Sequence, residues 1–584
     1  MEVIRNVDRE KKLRQTTLWL NSLMAFCALF SLASIVTALG WQLSETQVTV
    51  LLALSYANLG VFLSEEVARL FCVYKSVWNY LRTCLAELLL TLAIPVAAVL
   101  GADYWSNPDS AKSFVCLLHL LLIAVVGVRL LRFRGKIEAV KRLSPGHVFI
   151  FSFAALILCG TLMLLTPRAS VDGISCTDAL FFATSAVCVT GLVPVESLPA
   201  TLTQFGQYIL LVLAQLGGLG VMSITYFFAY FFAGGLSIRN RFAFQDLFSE
   251  DNLTQIGLVL GVLVGFTFSV EALGAIWIYF SYAAEHAADP VFFSVFHAVM
   301  AFCNAGFSTL PQGLATHGIP VQTDFIFAII ALSVVGGIGF PVLKNFWLVT
   351  LGALRRRLWP RRVSMPARLS THSKIVLVTG GLLLVAGTVS LLLTAIGSGE
   401  VDFMRAFFLS ATTRTAGFDI GNTALLPPGT LLIMMVLMFI GGAPFSTAGG
   451  IKVTTFAVAV LSIRQFLSGK HDLEIFGRRL HGDIAHQALA IVVLTALFFA
   501  SVAIVLCTLH PEINGVFLLF ESISAVATVG VSCGVTPMLC DAAKCVLVVA
   551  MFVGRIGILL FLASFIRRRA PSGARLPEDS LVLS

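Results

Sequence analysis

The chain has 584 residues, 58% of them hydrophobic and only 12% charged, with a formal net charge of +8 and a mean hydropathy of +0.92. A soluble globular domain carries roughly 25% charged residues, so this composition excludes a water-soluble fold and predicts an all-α integral membrane protein. The basic excess sits in short polar connections, the pattern of cytoplasmic loops and not of a nucleic-acid surface, so membrane lipid is the expected surrounding and nucleic acid is no partner.

Apolar runs of about 20 residues, each long enough for a bilayer core of about 30 Å, recur along the whole length. Four precede residue 147, at about Leu18–Leu39, Val48–Leu63, Leu85–Leu100 and Phe114–Val128. The first is too long, and lacks the small-residue site, of a cleavable signal. Their connections alternate in character. Arg5–Arg14, Arg69–Arg82 and Arg129–Lys141 are basic, whereas Ser44–Gln47 and Asp103–Lys112 are nearly neutral or mixed. The positive-inside rule places the basic set, and with it both termini, in the cytoplasm of a cell-membrane protein.

From residue 147 one plan is used four times. A first helix (about His147–Leu165, Ile256–Tyr282, Lys374–Ile396 and Ile484–Leu506) leads to a segment of about ten residues (Asp178–Val187, Pro290–Phe302, Phe403–Thr412 and Val516–Ala525), too short to span and therefore expected to re-enter. A glycine loop follows, and a second helix returns (about Leu202–Phe232, Phe325–Leu351, Thr430–Ile463 and Cys545–Phe565). Basic stretches at Arg239 and Arg241, Arg355–Arg368, Arg464–Arg479 and Arg567–Arg575 then all fall on one side. The expected organisation is residues 1–146 with four transmembrane helices, helix–re-entrant loop–helix pore modules at 147–235, 236–355, 356–465 and 466–566, and a cytoplasmic tail at 567–584: twelve spans in all.

The loops are Cys188-Val189-Thr190-Gly191, Cys303-Asn304-Ala305-Gly306, Arg414-Thr415-Ala416-Gly417 and Ala527-Thr528-Val529-Gly530, with glycines 115, 111 and 113 positions apart. A constant long period marks one module repeated. Non-helical backbone at membrane depth is tolerated only where protein or water covers it, so the loops are expected to converge on a shared axis. Glycine permits positive φ and lets carbonyls turn inward; a ring of carbonyls replaces the water around a monovalent cation, and Thr528-Val529-Gly530 matches the filter tripeptide of potassium channels. The expected ligands are backbone carbonyls at Gly191, Gly306, Gly417 and Gly530, with a monovalent cation as the transported ion and no covalently bound cofactor. Gly217, Gly218, Gly220, Gly336, Gly337 and Gly339, inside second helices, are assigned to close helix packing.

The second helix of the third module carries Gly441-Gly442-Ala443-Pro444-Phe445-Ser446-Thr447-Ala448-Gly449-Gly450-Ile451-Lys452. With about 1 kcal/mol per glycine and about 3 for proline, the helix is expected to break here into a loop just inside the filter. Such a loop obstructs the pore, which makes Gly441, Gly442, Ser446, Thr447, Gly449, Gly450 and Lys452 candidate gating residues. The spacing of glycines and lysine rules out a phosphate loop. Charges within the membrane need partners. Arg555 is expected either as an electrostatic barrier below the filter or as an anchor for carbonyls of the broken loop. Glu271 is expected as a hydrogen-bond partner or as part of an ion route, and Arg414 is expected to reach Asp419 or Glu521. Most of the twelve cysteines sit in apolar runs as small hydrophobic residues, although Cys533 and Cys540 could pair. With no H-E-x-x-H motif and no evident nucleophile–base pair, an intramembrane enzyme is not expected. A scaffold using the first four helices is a further class.

Together, Thr184-Ser185-Ala186-Val187-Cys188-Val189-Thr190-Gly191-Leu192, Ala301-Phe302-Cys303-Asn304-Ala305-Gly306-Phe307, Thr413-Arg414-Thr415-Ala416-Gly417-Phe418, Ala527-Thr528-Val529-Gly530, Ser446-Thr447-Ala448-Gly449-Gly450-Ile451-Lys452 and Gly554-Arg555 resemble the Trk/Ktr superfamily of potassium-transporting membrane subunits, over roughly His147 to Phe565. The resemblance implies a fourfold pseudosymmetric pore, a potassium filter at the four glycines, an intramembrane gating loop and a homodimer. It also implies a separate cytosolic TrkA/KtrA-like nucleotide-binding regulatory subunit, since no Rossmann-type segment follows Phe565. Potassium uptake is the implied function, and sodium-coupled or sodium-permeable transport the alternative; in plant relatives a serine in the first filter accompanies sodium permeation, so Gly191 favours potassium. Three features depart from the pattern. Phe445 stands where the gating loop usually has glycine, Cys188 replaces a more usual threonine, and four helices precede the first module where two are common.

Overall fold

The computed structural model describes residues 2–69, 114–123, 125, 145–233, 256–315, 323–358, 368–396, 401–469, 472–480 and 482–565, and these are predominantly helical. The expected span Leu85–Leu100, the connection Asp103–Lys112 and the basic stretches Arg129–Lys141, Arg239 with Arg241 and Arg567–Arg575 lie outside the described residues, as do parts of Arg69–Arg82, Phe114–Val128, Arg355–Arg368 and Arg464–Arg479. The chain divides into two units: residues 1–143 with 162–174 and 202–206, and residues 144–161, 175–201 and 207–584.

In the first unit, α1 (Glu2–Gly40) and α2 (Glu45–Arg69) pack as a hairpin, joined by α3 (Phe114–Ile123). Met24, Cys27, Leu51, Leu59, Phe62, Leu118 and Leu122 form their shared core. Polar groups run through it. His119 lies between the hydroxyls of Ser31 and Ser55, at 3.0 and 2.9 Å. Asn58 donates to Ser31 at 3.1 Å, and the buried Arg69 pairs with Glu65. Buried polar groups are costly unless paired, so these side chains oblige the three helices to meet in one register.

The second unit holds the repeats. The first comprises α4 (Pro145–Leu164), the short α5 (Cys176–Val187) and α6 (Gln204–Ala233). The second comprises α7 (Ile256–Ile278), continuing through a π-helical turn at Tyr279–Ala283, then α8 (Pro290–Cys303), α9 (Thr323–Ile338) and α10 (Phe340–Leu358). The third comprises α11 (Thr371–Thr394), α12 (Phe403–Thr412), α13 (Pro428–Phe439) and α14 (Val453–Leu467); the fourth, α15 (Gly482–Leu509), α16 (Gly515–Val526), α17 (Asp541–Ile556) and α18 (Ile558–Phe565). A small antiparallel hairpin, β1 (Leu473–Ile475) with β2 (Arg478–Leu480), follows α14.

Each short helix starts on a side-chain cap. Ser175, Asp289, Asp402 and Asn514 accept the backbone N–H of Asp178, Phe292, Arg405 and Val516 respectively. Such caps satisfy otherwise orphaned donors, which matters in a setting with little water. The expected short helices therefore form with their own start signals.

Two of the expected continuous second helices are broken. In the second repeat α9 and α10 meet at 100°, turning at Gly339 with φ 87°. Gly339 is thus a hinge as well as the close-packing glycine expected from sequence, since an added Cβ would lie 2.7 Å from the Pro444 carbonyl. In the fourth repeat α17 stops at Gly557, also at φ 87°. Five described helices are long and apolar enough to cross a membrane, and the bent pair makes a sixth. Twelve spans were expected. Broken helices fall short as single elements, and other expected spans lie on residues outside the description.

The repeats follow one another cyclically. Tyr208 on α6 lies tilted against Phe292 on α8 with ring centroids 4.5 Å apart, α9 packs on α12, α13 on α16, and α17 on α5. An ion pair of 2.6 Å between Lys544 and Asp178 accompanies the last junction.

Candidate functional site

All four loop glycines are left-handed, with φ of 94° at Gly191, 66° at Gly306, 74° at Gly417 and 101° at Gly530, a region where a side chain is strained. They also touch in cyclic order. A Cβ on Gly191 would strike the carbonyl oxygen of Ala305; on Gly306, that of Ala416; on Gly417, that of Val529; and on Gly530, that of Thr190. The circuit closes, so the four loops form one ring in sequence order. Each glycine makes room for the carbonyl just ahead of the next. Four short helices end at this ring and bring the partial negative charge of their carboxyl ends to it. Such a ring can take the place of the water shell of a monovalent cation.

Three of the loops share a backbone path. Val189, Asn304 and Thr528, two residues before the glycine, have φ of 55°, 61° and 49°. The following N–H groups of Thr190, Ala305 and Val529 donate to carbonyls five residues back, Ser185, Met300 and Ser524, at 2.7, 2.8 and 2.8 Å. The third loop differs: Ala416 and Gly417 both donate to Thr412, at 2.7 and 3.1 Å, and Thr415 has no positive φ. The hydroxyls of Thr190 and Thr528 are buried with no hydrogen-bond partner among the described residues, so two further oxygens beside the ring are uncommitted.

The ring is braced from behind by residues that sequence reasoning missed. Ser185 accepts the Gly191 N–H at 3.0 Å and donates to the Leu192 carbonyl at 2.8 Å, and Ser524 accepts the Gly530 N–H at 3.0 Å. Both lie six positions before the loop glycine, an offset that was available as a signal. The packing glycines brace it as well. Cβ atoms on Gly217, Gly336 and Gly554 would collide with the carbonyls of Val187, Phe302 and Val526, each four residues before a loop glycine. Close packing, as expected, explains Gly217 and Gly336, and an added Cβ on Gly218 would approach Cys303 Sγ at 2.8 Å.

The break after α13 is where the sequence placed it. Residues 440–451 form a loop closed at its base, with Ile440 bridged to Ile451 and the Gly441 N–H donating to Ile451 at 2.9 Å. The loop lies against the ring. A Cβ on Gly449 would strike the Ala527 carbonyl and the Thr528 hydroxyl. Thr447 donates to the Phe302 carbonyl at 3.1 Å and accepts from Asn304 Nδ2 at 2.7 Å, while Asn304 Oδ1 accepts from Thr415 at 3.0 Å. Ser446 and Gly442 stabilise the turn itself: Ser446 donates to the Ala443 carbonyl at 2.6 Å, and the Gly442 carbonyl accepts from Val453 at 3.0 Å. Lys452 Nζ donates to the Ala448 carbonyl at 2.6 Å. Arg555 Nη1 donates to the Thr447 carbonyl at 2.6 Å, the anchor geometry of the two expected for it. Gly450 and Phe445 are left-handed, at 66° and 61°; at the second of these a phenylalanine carries the strain that glycine would not.

Arg414 reaches neither Asp419 nor Glu521. Its Nη1 donates to the Gly380 carbonyl at 3.3 Å, because the third loop turns its side chain toward α11. Asp419 instead lies 3.8 Å from Arg405 of α12, and Glu521 accepts from Ser532, Cys533 and Thr536. Glu271 takes the structural role: it accepts from Gln215 at 3.0 Å and lies beside the Cys303 thiol. Cys533 and Cys540 are both free thiols.

Comparison with known proteins follows the same outline. A family model described as TrkH, cation transport protein, matches residues 120–574. The chain is 33% identical over 457 residues to Ktr system potassium uptake protein B of Vibrio alginolyticus, covering 77% of this chain and 96% of that protein. It is 33% identical over 451 residues to the protein of the same name from Bacillus subtilis, covering 75% and 97%, and 32% identical over 459 residues to the potassium/sodium uptake protein NtpJ of Enterococcus hirae, covering 76% and 98%. The crystal structure of the potassium transporter TrkH from Vibrio parahaemolyticus superposes with a TM-score of 0.59 at 19% identity, covering 82% of this chain and 97% of that one, a likeness of fold.

Proposed function

This chain belongs to the TrkH family of cation transport proteins, and from that premise we propose that it is the pore-forming membrane subunit of a potassium uptake system. It is a multi-pass membrane protein. One observation carries the reading: four left-handed glycines, each seated against the carbonyl of the next loop, in a circuit that closes. In this reading the carbonyls at Gly191, Gly306, Gly417 and Gly530 strip and replace the hydration shell of potassium. The Gly441–Lys452 loop shuts the path below them, held by Thr447, Lys452 and Arg555. A membrane potential supplies about 2.3 kcal/mol per charge per 100 mV, enough to draw the ion inward.

Potassium is supported by the names of the relatives and by the missing Cβ at Gly191. The system names of the relatives support a membrane subunit that works with other components. The finer assembly belongs to the same proposal: a homodimer, both termini cytoplasmic, and a separate cytosolic nucleotide-binding subunit that moves the loop. Rubidium and sodium uptake into proteoliposomes of the purified protein tests the reading. Rubidium flux driven by an inside-negative potential is expected; sodium flux without rubidium flux refutes it in favour of a sodium transporter.

A further inference from the structure

Behind the ring, the residue nine positions before each loop glycine and the residue two positions after it form a recurring pair. In the second repeat they are His297 and Ser308, hydrogen-bonded at 2.9 Å. In the fourth they are Glu521 and Ser532, also hydrogen-bonded. In the third, Phe408 stands at the first position, and Asp419 at the second turns instead to Arg405 of the same short helix, at 3.8 Å. In the first they are Phe182 and Val193, whose side chains can make no hydrogen bond, and Ser185 alone ties that loop. The loops that look alike from the axis are therefore tied to their short helices by unequal means.

The fourth tie is the most extensive. Glu521 is fully buried. Besides the Ser532 hydroxyl it accepts the Cys533 N–H at 3.1 Å and the Thr536 hydroxyl at 3.0 Å. Three donors from the segment leaving Gly530 thus converge on one carboxylate of α16. Without Glu521 these donors would be left buried and unpaired, which costs more than a single hydrogen bond contributes, so the satisfied cluster resists displacement. The Glu521 cluster therefore fixes the fourth loop's backbone more firmly than Ser524 alone could.

We propose that Glu521 is a positioning residue for ion selectivity: it holds the carbonyls of the Ala527–Gly530 loop at the spacing that fits potassium. The inference rests on the potassium reading above. Glu521 touches no ion; it acts through Ser532, Cys533 and Thr536, and its loss lets the fourth loop relax toward a smaller ring that admits sodium.

The test compares rubidium and sodium uptake in proteoliposomes for the wild type, Glu521→Ala, Glu521→Gln and the double variant Ser532→Ala/Thr536→Val. Gel filtration and thermal unfolding identify the folded proteins. Losing the three ties on Glu521 should lower the rubidium-to-sodium ratio about tenfold in Glu521→Ala, with the double variant, which loses two of them, falling in the same direction. Glu521→Gln, which keeps one acceptor oxygen, should recover part of the ratio. A purely structural role would lower the yield of folded protein and leave the ratio of what remains unchanged, and that result overturns the proposal. If Glu521→Ala does not fold, the double variant decides alone, because it leaves the carboxylate and its helix intact. Wild-type vesicles that move sodium but not rubidium would overturn the potassium reading and this inference with it, whereas a selective wild type with unaltered variants overturns only the inference.

Discussion

Thr447 pins the intramembrane loop to the second ring loop through one hydroxyl, so Thr447→Val is a direct test of the proposed gate. That hydroxyl donates to the Phe302 carbonyl at 3.1 Å and accepts from Asn304 Nδ2 at 2.7 Å. Valine keeps the shape and removes both bonds. Each neutral hydrogen bond contributes about 1 kcal/mol net, so the shut arrangement loses about 2 kcal/mol. Asn304 retains the Phe302 carbonyl at 3.4 Å and Thr415 at 3.0 Å, so its own penalty is small. At about 1.4 kcal/mol per factor of ten, the shut-to-open ratio falls about thirtyfold. Rubidium uptake by the isolated subunit in proteoliposomes, per unit of reconstituted protein, should rise by up to that factor and by less as the open fraction saturates. Arg555 supplies an independent arm. It bonds the backbone carbonyl of Thr447 at 2.6 Å, which the first substitution leaves in place, so adding Arg555→Gln should raise flux further. A folded Thr447→Val protein with wild-type or lower flux refutes the loop as the gate.

Gly530→Ala places a methyl group against the Thr190 carbonyl at a φ of 101°; with strain of about 1–2 kcal/mol added to the collision, rubidium flux should drop at least about tenfold, and full flux would refute the ring. Arg405→Ala removes the cation beside the partly buried Asp419, which keeps its bonds from Gly421 and Thr423, a loss of about 1–3 kcal/mol. Arg414→Ala removes one backbone contact, about 1 kcal/mol. Melting in detergent should therefore fall more for Arg405, and the reverse order would restore the partner expected from sequence. Gly339→Ala sets a Cβ 2.7 Å from the Pro444 carbonyl at a φ of 87°, which should lower the melting temperature through about 1–3 kcal/mol of strain; an unchanged melting curve would contradict the hinge.

The features legible in the sequence were those that composition betrays. Four glycines at one period, four segments too short to span and a helix interrupted by four glycines and a proline each violate the pattern of an apolar helix, and the structure contains every one of them. What stayed hidden depends on direction. Asp419 is five residues from Arg414, yet the loop turns the arginine toward Gly380, and the carboxylate's cation comes from Arg405 on the short helix. Gly339 reads like its neighbours Gly336 and Gly337 because a glycine that admits a neighbouring backbone looks the same in sequence whether or not it also bends its own; only φ shows the bend. Ser185 and Ser524 were passed over because a serine in a helix usually satisfies itself on a carbonyl one turn back, whereas these two serve the loop ahead of them.

The third repeat explains why the pore is fourfold at the ring and unequal beneath it. In the other three repeats a glycine of the returning helix lies against the short helix's carbonyl four residues before the loop glycine: Gly217 on Val187, Gly336 on Phe302, Gly554 on Val526. The third returning helix is opened to make the intramembrane loop, and Gly441 packs on the Gly449 carbonyl inside that loop instead. Opening the helix therefore removes a support that its three counterparts keep. The loop it supported is also the one with a different backbone path, without the left-handed residue two before its glycine. Its side support comes from Thr415, which donates to Asn304, which in turn donates to Thr447 of the intramembrane loop. One asparagine, itself held at a φ of 61°, thus joins the third ring loop to the proposed gate. Any movement that withdraws Thr447 takes one partner from Asn304 and leaves it held by the Phe302 carbonyl and Thr415, so opening below the ring is felt first at the residue that joins the second and third loops.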